Sequence, residues 1–285
     1  MKRAKRTIVI IGLALASCSG PVYVPTNTPT MLSVRVLATT TTYPLLQDLA
    51  AGYKRPDVLL AVQSAALNWE VVYNQLVTGQ YPFALTAFLP ADARLWAAPL
   101  GYDGIAIIVN AANTVPALTV DQLRALFQGH ITRWIEVGGP DLPVTVVSRE
   151  PGADIYLAFD ALVMQGRPVR LSSQLGLSSQ AVISLVNSTP GAVGYVSLSQ
   201  LEPHLRAVPL RTAPDEQPVA ISVDAIGDGT YPLRTPLYIA GAAAPADDSP
   251  YRDWFAWMQH GEGQAIIERW QLGLSDPAAP AATGF

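Results

Sequence analysis

From residue 32 onward the chain alternates short apolar, β-branched runs with stretches whose apolar residues recur at helical spacing. That alternation constrains the fold more than any other feature, because strands interleaved with helices build α/β sheets covered by helices. Strand candidates are Leu32–Ala38, Val58–Gln63, Phe83–Ala87, Ile105–Val109, Val144–Val147, Ala192–Val196 and Leu237–Ala240. Ile105–Val109 and Ala192–Val196 are apolar throughout, as expected of strands buried on both faces. Half of the 285 residues are hydrophobic and 14% are charged, enough to bury a sizeable core.

Local chemistry places the helices between these strands. Thr42 and Pro44 open one that runs through Tyr53, with the proline near the first helical position, where a missing N–H costs little. Asn68 is a candidate N-cap for a helix through Thr78. Thr119-Val120-Asp121-Gln122 has the form of a capping box, and Gly129 supplies a C-terminal stop. Further helices are expected from about Ile155 to Met164, from Ser178 or Ser179 to before Pro190, and in a final pair that starts at Ser249-Pro250 and breaks at Gly261.

The N-terminus is of a different kind. Residues 1–18 read MKRAKRTIVIIGLALASC, a basic stretch followed by the apolar run Ile8–Leu15 and then small residues, the pattern of a secretory signal over 1–17. The run is too short for a membrane-spanning helix, which needs about 20 residues. Cys18 is the only cysteine, and Leu15-Ala16-Ser17-Cys18 resembles the bacterial lipoprotein box, which implies lipidation of Cys18 and a membrane anchor. A fold without disulfides follows. Residues 18–31, rich in Pro, Thr, Ser and Asn, read as a tether. Removing residues 1–17 leaves 14 basic and 22 acidic side chains, a formal charge of −8. Such a balance argues against a nucleic-acid partner, which needs a basic face. It leaves room for a small anion, which backbone amides can bind locally.

Catalytic and metal chemistry find little support. His130, His204 and His260 stand apart beside Gly or Pro, and no zinc spacing links them. The chain has no Gly-x-Ser-x-Gly elbow and no phosphate loop ending in Lys-Ser/Thr. Asp247-Asp248 reads as a solvated loop pair. Nothing in the chain makes a persuasive catalytic constellation, so it does not read as an enzyme, and no cofactor is expected.

Three stretches then resemble the periplasmic phosphate-binding proteins of ABC importers. They are GYDGIAIIVNAANTVPALTVDQLRALFQGHITRWIEVGGPDLPVTVVSREPG over Gly101–Gly152, PGAVGYVSL over Pro190–Leu198, and YPLRTPLY over Tyr231–Tyr238 with GEGQAII over Gly261–Ile267. The resemblance covers about residues 34–275. It implies a type II periplasmic-binding-protein fold: two α/β lobes, each a mixed sheet flanked by helices, joined by two crossover strands. The first lobe would comprise 32–107 and 197–285 and the second 108–196, with Ile105–Val109 and Ala192–Val196 carrying the chain across and back. The implied role is an extracytoplasmic solute-binding lipoprotein, a monomer that captures a small oxyanion in the cleft and delivers it to an ABC permease. The alternative is a degenerate family member acting as a ligand sensor or interaction module.

The resemblance also implies the site. Thr39, Thr40 and Thr41 match the hydroxyl-rich first loop, and Leu37–Thr41 is similar to the first loop of tungstate-binding proteins. Ser64 lies at the second loop, and Arg149 matches the anion-binding arginine. Where the family continues with Ser-Gly-Thr, this chain reads Ala153-Asp154-Ile155 after Gly152, so two hydroxyls are replaced and a carboxylate is gained. Phe88 stands where a polar partner is expected. Asp154 is expected to be the N-cap of the following helix and to weaken phosphate binding.

Overall fold

The computed structural model describes residues 29–270 and the short strands Gly273–Leu274 and Ala282–Thr283. The expected signal, Cys18 and nearly all of the tether lie outside the described residues. No helix among the described residues is long and apolar enough to cross a membrane.

The chain opens with β1 (Thr30–Thr39), whose last four residues are buried. Thr42 stands at the N-cap position of α1 (Tyr43–Gly52) without a side-chain cap hydrogen bond, and Pro44 lies in the first turn. Then follow β2 (Val58–Gln63), β3 (Ala66–Leu67), α2 (Trp69–Val77) and β4 (Phe83–Thr86). β1 lies between β2 and β4 and is parallel to both. β5 (Trp96–Val109) is fourteen residues long and leaves this lobe for the next.

The second lobe adds β6 (Leu118–Thr119) and α3 (Val120–Gln128). The capping box forms as expected: Thr119 Oγ1 accepts from Gln122 N at 3.0 Å, and Gln122 Oε1 accepts from Thr119 N at 2.9 Å. Gly129 closes the helix at φ +81°, a left-handed conformation that glycine adopts without strain. Replacing Thr119 by alanine should cost about 1 kcal/mol of stability in chemical denaturation. A change below about 0.3 kcal/mol would show that the box contributes nothing.

Next come β7 (Thr145–Arg149), α4 (Asp154–Phe159) running on into a π-type turn at Asp160–Met164, β8 (Gln174–Gly176), α5 (Ser179–Ser188) and β9 (Ala192–Ser197). Ser178 caps α5, its Oγ accepting from Ala181 N at 3.1 Å. The sheet runs β9–β7–β8, with all three parallel. Its core holds Phe127, Trp134, Phe159 and Tyr195. The rings of Phe159 and Tyr195 stack at 4.1 Å, and Trp134 Nε1 donates to the Gly191 carbonyl at 2.9 Å.

The return path differs from the sequence expectation. β9 does not cross. It pairs antiparallel with the second half of β5, Ile105 against Ser197 through Val109 against Val193, and stops at the waist. The chain then turns back into the second lobe through β10 (Arg206–Ala207), which pairs with Ile108 and Val109, then β11 (Leu210–Arg211) and α6 (Val223–Gly227). Val208, Leu210, Ile226, Tyr231 and Leu233 all bury themselves in that lobe's core. The crossing back is made by β12 (Arg234–Gly241), which pairs antiparallel with the first half of β5 and with β4. Packing thus assigns residues 197–233 to the second lobe, not the first. An apolar β-branched run signals a buried strand but does not tell a crossing strand from a central one.

At this waist Ile105 N donates to the Leu233 carbonyl at 2.9 Å, and Tyr231 Oη donates to the Ile105 carbonyl at 2.9 Å. The Arg234 guanidinium lies 3.3 Å over the Tyr102 ring. Finally α7 (Pro250–Met258) and α8 (Gly261–Arg269) cover the first lobe, with Trp254 and Phe255 packed on Leu45, Leu46 and Leu49 of α1. β13 (Gly273–Leu274) and β14 (Ala282–Thr283) add to β5.

Candidate ligand-binding site

The threonine loop lies at the carboxyl end of β1, where open α/β sheets bind ligands. Its four hydroxyls have separate tasks. Thr42 Oγ1 donates to the Leu85 carbonyl at 2.8 Å and lies 2.9 Å from Thr39 Oγ1, so it fastens the loop to β4. Thr40 is exposed at the cleft. Thr39 and Thr41 are buried, and both reach across to the second lobe.

Their partner is Asp154. Thr41 Oγ1 donates to Asp154 Oδ1 at 2.6 Å, and Thr39 Oγ1 donates to Asp154 Oδ2. Asp154 is 1% exposed. The expected N-cap role is not what the structure has. Ala153 stands at the cap position and Asp154 is the first residue of α4, so its carboxylate is free to point across the cleft. Burial raises its pKa, a shift opposed by the hydrogen bonds from Thr39 and Thr41. The carboxylate thereby occupies both hydroxyl donors.

A third donor, a backbone amide, is taken by a carbonyl. The N-terminal amide of α2, Trp69 N, donates to the Gly152 carbonyl at 3.0 Å, joining the two lobes again. Gly152 sits at φ +89°, the left-handed region, so no other residue fits this turn without strain. Ala153 is fully buried behind it.

Arg149 ends β7, fixed by Tyr195, whose hydroxyl accepts from Arg149 N at 3.2 Å. Its side chain is 2% exposed. Glu150 holds the guanidinium bidentately, at 2.9 Å to Nε and 3.0 Å to Nη2, and Nη1 donates to Ser179 Oγ at 3.1 Å. Such a fork-to-fork pair leaves little of the positive charge for a ligand.

Asp103 is a buried site residue that the sequence reading did not single out. It lies at the waist in β5, 5% exposed, and accepts from Ser197 Oγ at 2.6 Å and from Gly104 N at 2.6 Å. Burial is the main cause that pushes its carboxyl up to about 6, and the nearby Asp154 charge acts the same way. The available signal was an aspartate embedded in the run Gly101–Val109. The centre therefore holds Asp103, Glu150 and Asp154 against the single guanidinium of Arg149, an excess of negative charge.

Ser64 stays away from this cluster, its hydroxyl accepting from Gln47 Nε2 at 3.0 Å. Phe88 is apolar in its contacts as well as its chemistry, packing edge-on to Trp69 at 6.2 Å. Beside Arg149 is a cavity of about 580 Å³, bounded by Thr40, Arg149, Ser178, Ser179, Gln200 and Glu202 among others. Among the described residues no three acidic, histidine or cysteine side chains group as metal ligands. The three histidines are exposed.

Two α/β lobes crossed by two strands, with polar loops of both lobes meeting at the waist, define the class of two-lobed solute-binding proteins. The chain belongs to the PBP superfamily, whose domain description matches residues 24–258. The phosphate-binding protein PstS of Bacillus subtilis (strain 168) is 28% identical over 138 residues, 46% of this chain and 41% of that protein, so this match spans less than half of the relative's length. PstS of Borreliella burgdorferi is 20% identical over 82% of this chain and 87% of its own. Among solved structures, an ABC-type phosphate transport receptor from Vibrio cholerae is 25% identical, with a TM-score of 0.71 over 85% of this chain and all of that one. A putative phosphate ABC transporter substrate-binding protein from Clostridium perfringens, with bound phosphate, is 24% identical with a TM-score of 0.73 over 86% of this chain and all of that one. These relatives are named as binding proteins, not enzymes.

Proposed function

We propose that this chain is an extracytoplasmic solute-binding lipoprotein of a phosphate-type ABC importer, one that captures a small oxyanion or related solute between its lobes with an altered site. The observation that carries the reading is the convergence of Thr39 and Thr41 of one lobe and Asp154 of the other on one buried point at the waist, with the Arg149 charge close enough to act on Asp154. The names of its relatives favour the same role. The lobes in this reading are residues 32–104 with 234–270, and residues 105–233. Partner and anchor follow from it: an ABC permease receives the solute, and a lipid on Cys18 holds the protein at the outer side of the cytoplasmic membrane.

Such a protein closes on its solute. Solution scattering should show a more compact particle at saturation with a confirmed ligand. Unchanged dimensions at saturation would count against solute capture between lobes. A second reading, a family member kept as a sensor or interaction module, is favoured by the Asp154 carboxylate lodged on the threonines. Binding of no small molecule would support it. For the anchor, Cys18→Ser should move the protein from the membrane fraction to the soluble fraction. An unmodified Cys18 in wild-type protein, read by mass spectrometry, would sink the lipid assignment.

A further inference from the structure

Within the solute-binding reading, the donors at the threonine loop are already used by the protein itself. Asp154 holds Thr39 and Thr41, and Gly152 holds the first amide of α2. Room for a solute lies instead beside Arg149, in the cavity of about 580 Å³ that reaches Thr40 but not the Thr39 and Thr41 hydroxyls. Small-molecule sites span about 300–1,000 Å³, and a five-atom oxyanion would fill only a minor part of this one.

The walls of that cavity have opposite hydrogen-bonding sense. On one side Ser179 Oγ accepts from Arg149 Nη1, and Ser178 Oγ accepts from Ala181 N. Each hydroxyl has its acceptor role satisfied from behind, so its own proton is free to point at a ligand. On the other side are acceptors. Gln200 lines this side, although its Oε1 itself is closed off and has no hydrogen-bond partner among the described residues. Glu202 adds a carboxylate, paired only with exposed His204 at 3.4 Å. The charge balance limits the ligand further, since Asp103, Glu150 and Asp154 already outnumber Arg149.

The geometry points to a ligand seat shifted from the threonine loop to this cavity, for a small organic anion. The ligand carries one negative group, met by the Ser178 and Ser179 hydroxyls, and at least one hydroxyl or ammonium donor, met by the Glu202 carboxylate. Hydroxy acids and acidic amino acids have this chemistry, whereas sulfate has no donor and free phosphate, although its P–OH can donate, is too small to reach both walls.

Calorimetry and thermal shift on the purified protein at pH 7 test this in two arms. Inorganic phosphate and sulfate form one arm; glycerate, gluconate and glutamate form the other. At least one organic probe should bind tenfold or more tighter than phosphate. Ser179→Ala and Glu202→Gln should each weaken that probe about tenfold; the second lies at a half-exposed side chain, so its folding is secure even if loss of Ser179 disturbs Arg149. Phosphate binding tighter than every organic probe would overturn the shifted seat while leaving solute capture intact. Silence in both arms would overturn both. An organic probe that binds equally well to both variants would place it outside this cavity and also overturn the inference.

Discussion

Restoring hydroxyls and removing the carboxylate in the triple change Ala153→Ser, Asp154→Gly and Ile155→Thr should raise affinity for inorganic phosphate by three or more powers of ten. Asp154 opposes the anion twice. Its charge, at about 5 Å from a seated anion, costs roughly 3 kcal/mol at an effective dielectric near 20. Its oxygens also accept from Thr39 and Thr41, the hydroxyls an anion would need. Two regained hydroxyls at positions 153 and 155 contribute about 1 kcal/mol each. At about 1.4 kcal/mol per tenfold these contributions reach the stated range. Titration calorimetry on protein stripped of carried-over ligand measures it. Submicromolar phosphate binding by the unaltered chain would refute the argument, because the seat would then accept an anion despite Asp154.

The second large effect is on stability against pH. Burial lifts Asp103 from its ordinary 3.8 to about 6 in the folded protein. Between those values the folded chain keeps a proton that the unfolded chain has released. The stability this confers is fully present below about pH 4 and is lost as pH rises through about 6. A shift of about two units corresponds to roughly 3 kcal/mol. Asp154 is raised by burial too and acts in the same direction. Below about pH 4 the exposed carboxylates of Asp57, Glu136 and Asp228, all held low by hydrogen bonds, reverse the trend as they take up protons. Urea unfolding should therefore give a maximum near pH 4–5 and a decline to pH 7. Asp103→Asn should flatten most of that decline, and a decline of equal size in the variant would show that Asp103 is not its source.

What could be read from the sequence were features whose causes are local. The capping box at Thr119 and the cap at Ser178 need only neighbours three residues away, and both form. The strand Val58–Gln63 has the bounds its β-branched run indicates. β5 was seen only from Ile105, because Pro99, Gly101 and Asp103 interrupt the apolar run; its first half is strand because β12 pairs with it. The same long-range pairing decides which strand returns the chain, a choice that the apolar run Ala192–Val196 does not reveal. At the site, motif position draws attention to Thr39, Thr41, Arg149 and Asp154, but it does not reveal that the Asp154 side chain turns to the two threonines. A helix of six residues whose cap is Ala153 gave no local reason for that carboxylate to turn toward another lobe.

The place of β12 has a consequence for how the chain reaches its native state. It lies between β4 and β5, so two strands that are neighbours in sequence cannot pair with each other in the first lobe. That sheet keeps a gap at its centre until residues 234–241 arrive, after the whole second lobe has been made. Closing a loop of well over a hundred residues is an entropic barrier that local contacts do not repay in advance. The second lobe, whose strands all come from one continuous stretch, can condense first. The first lobe then completes last and all at once, and until that moment the edges of β4 and β5 are open to pairing with other chains.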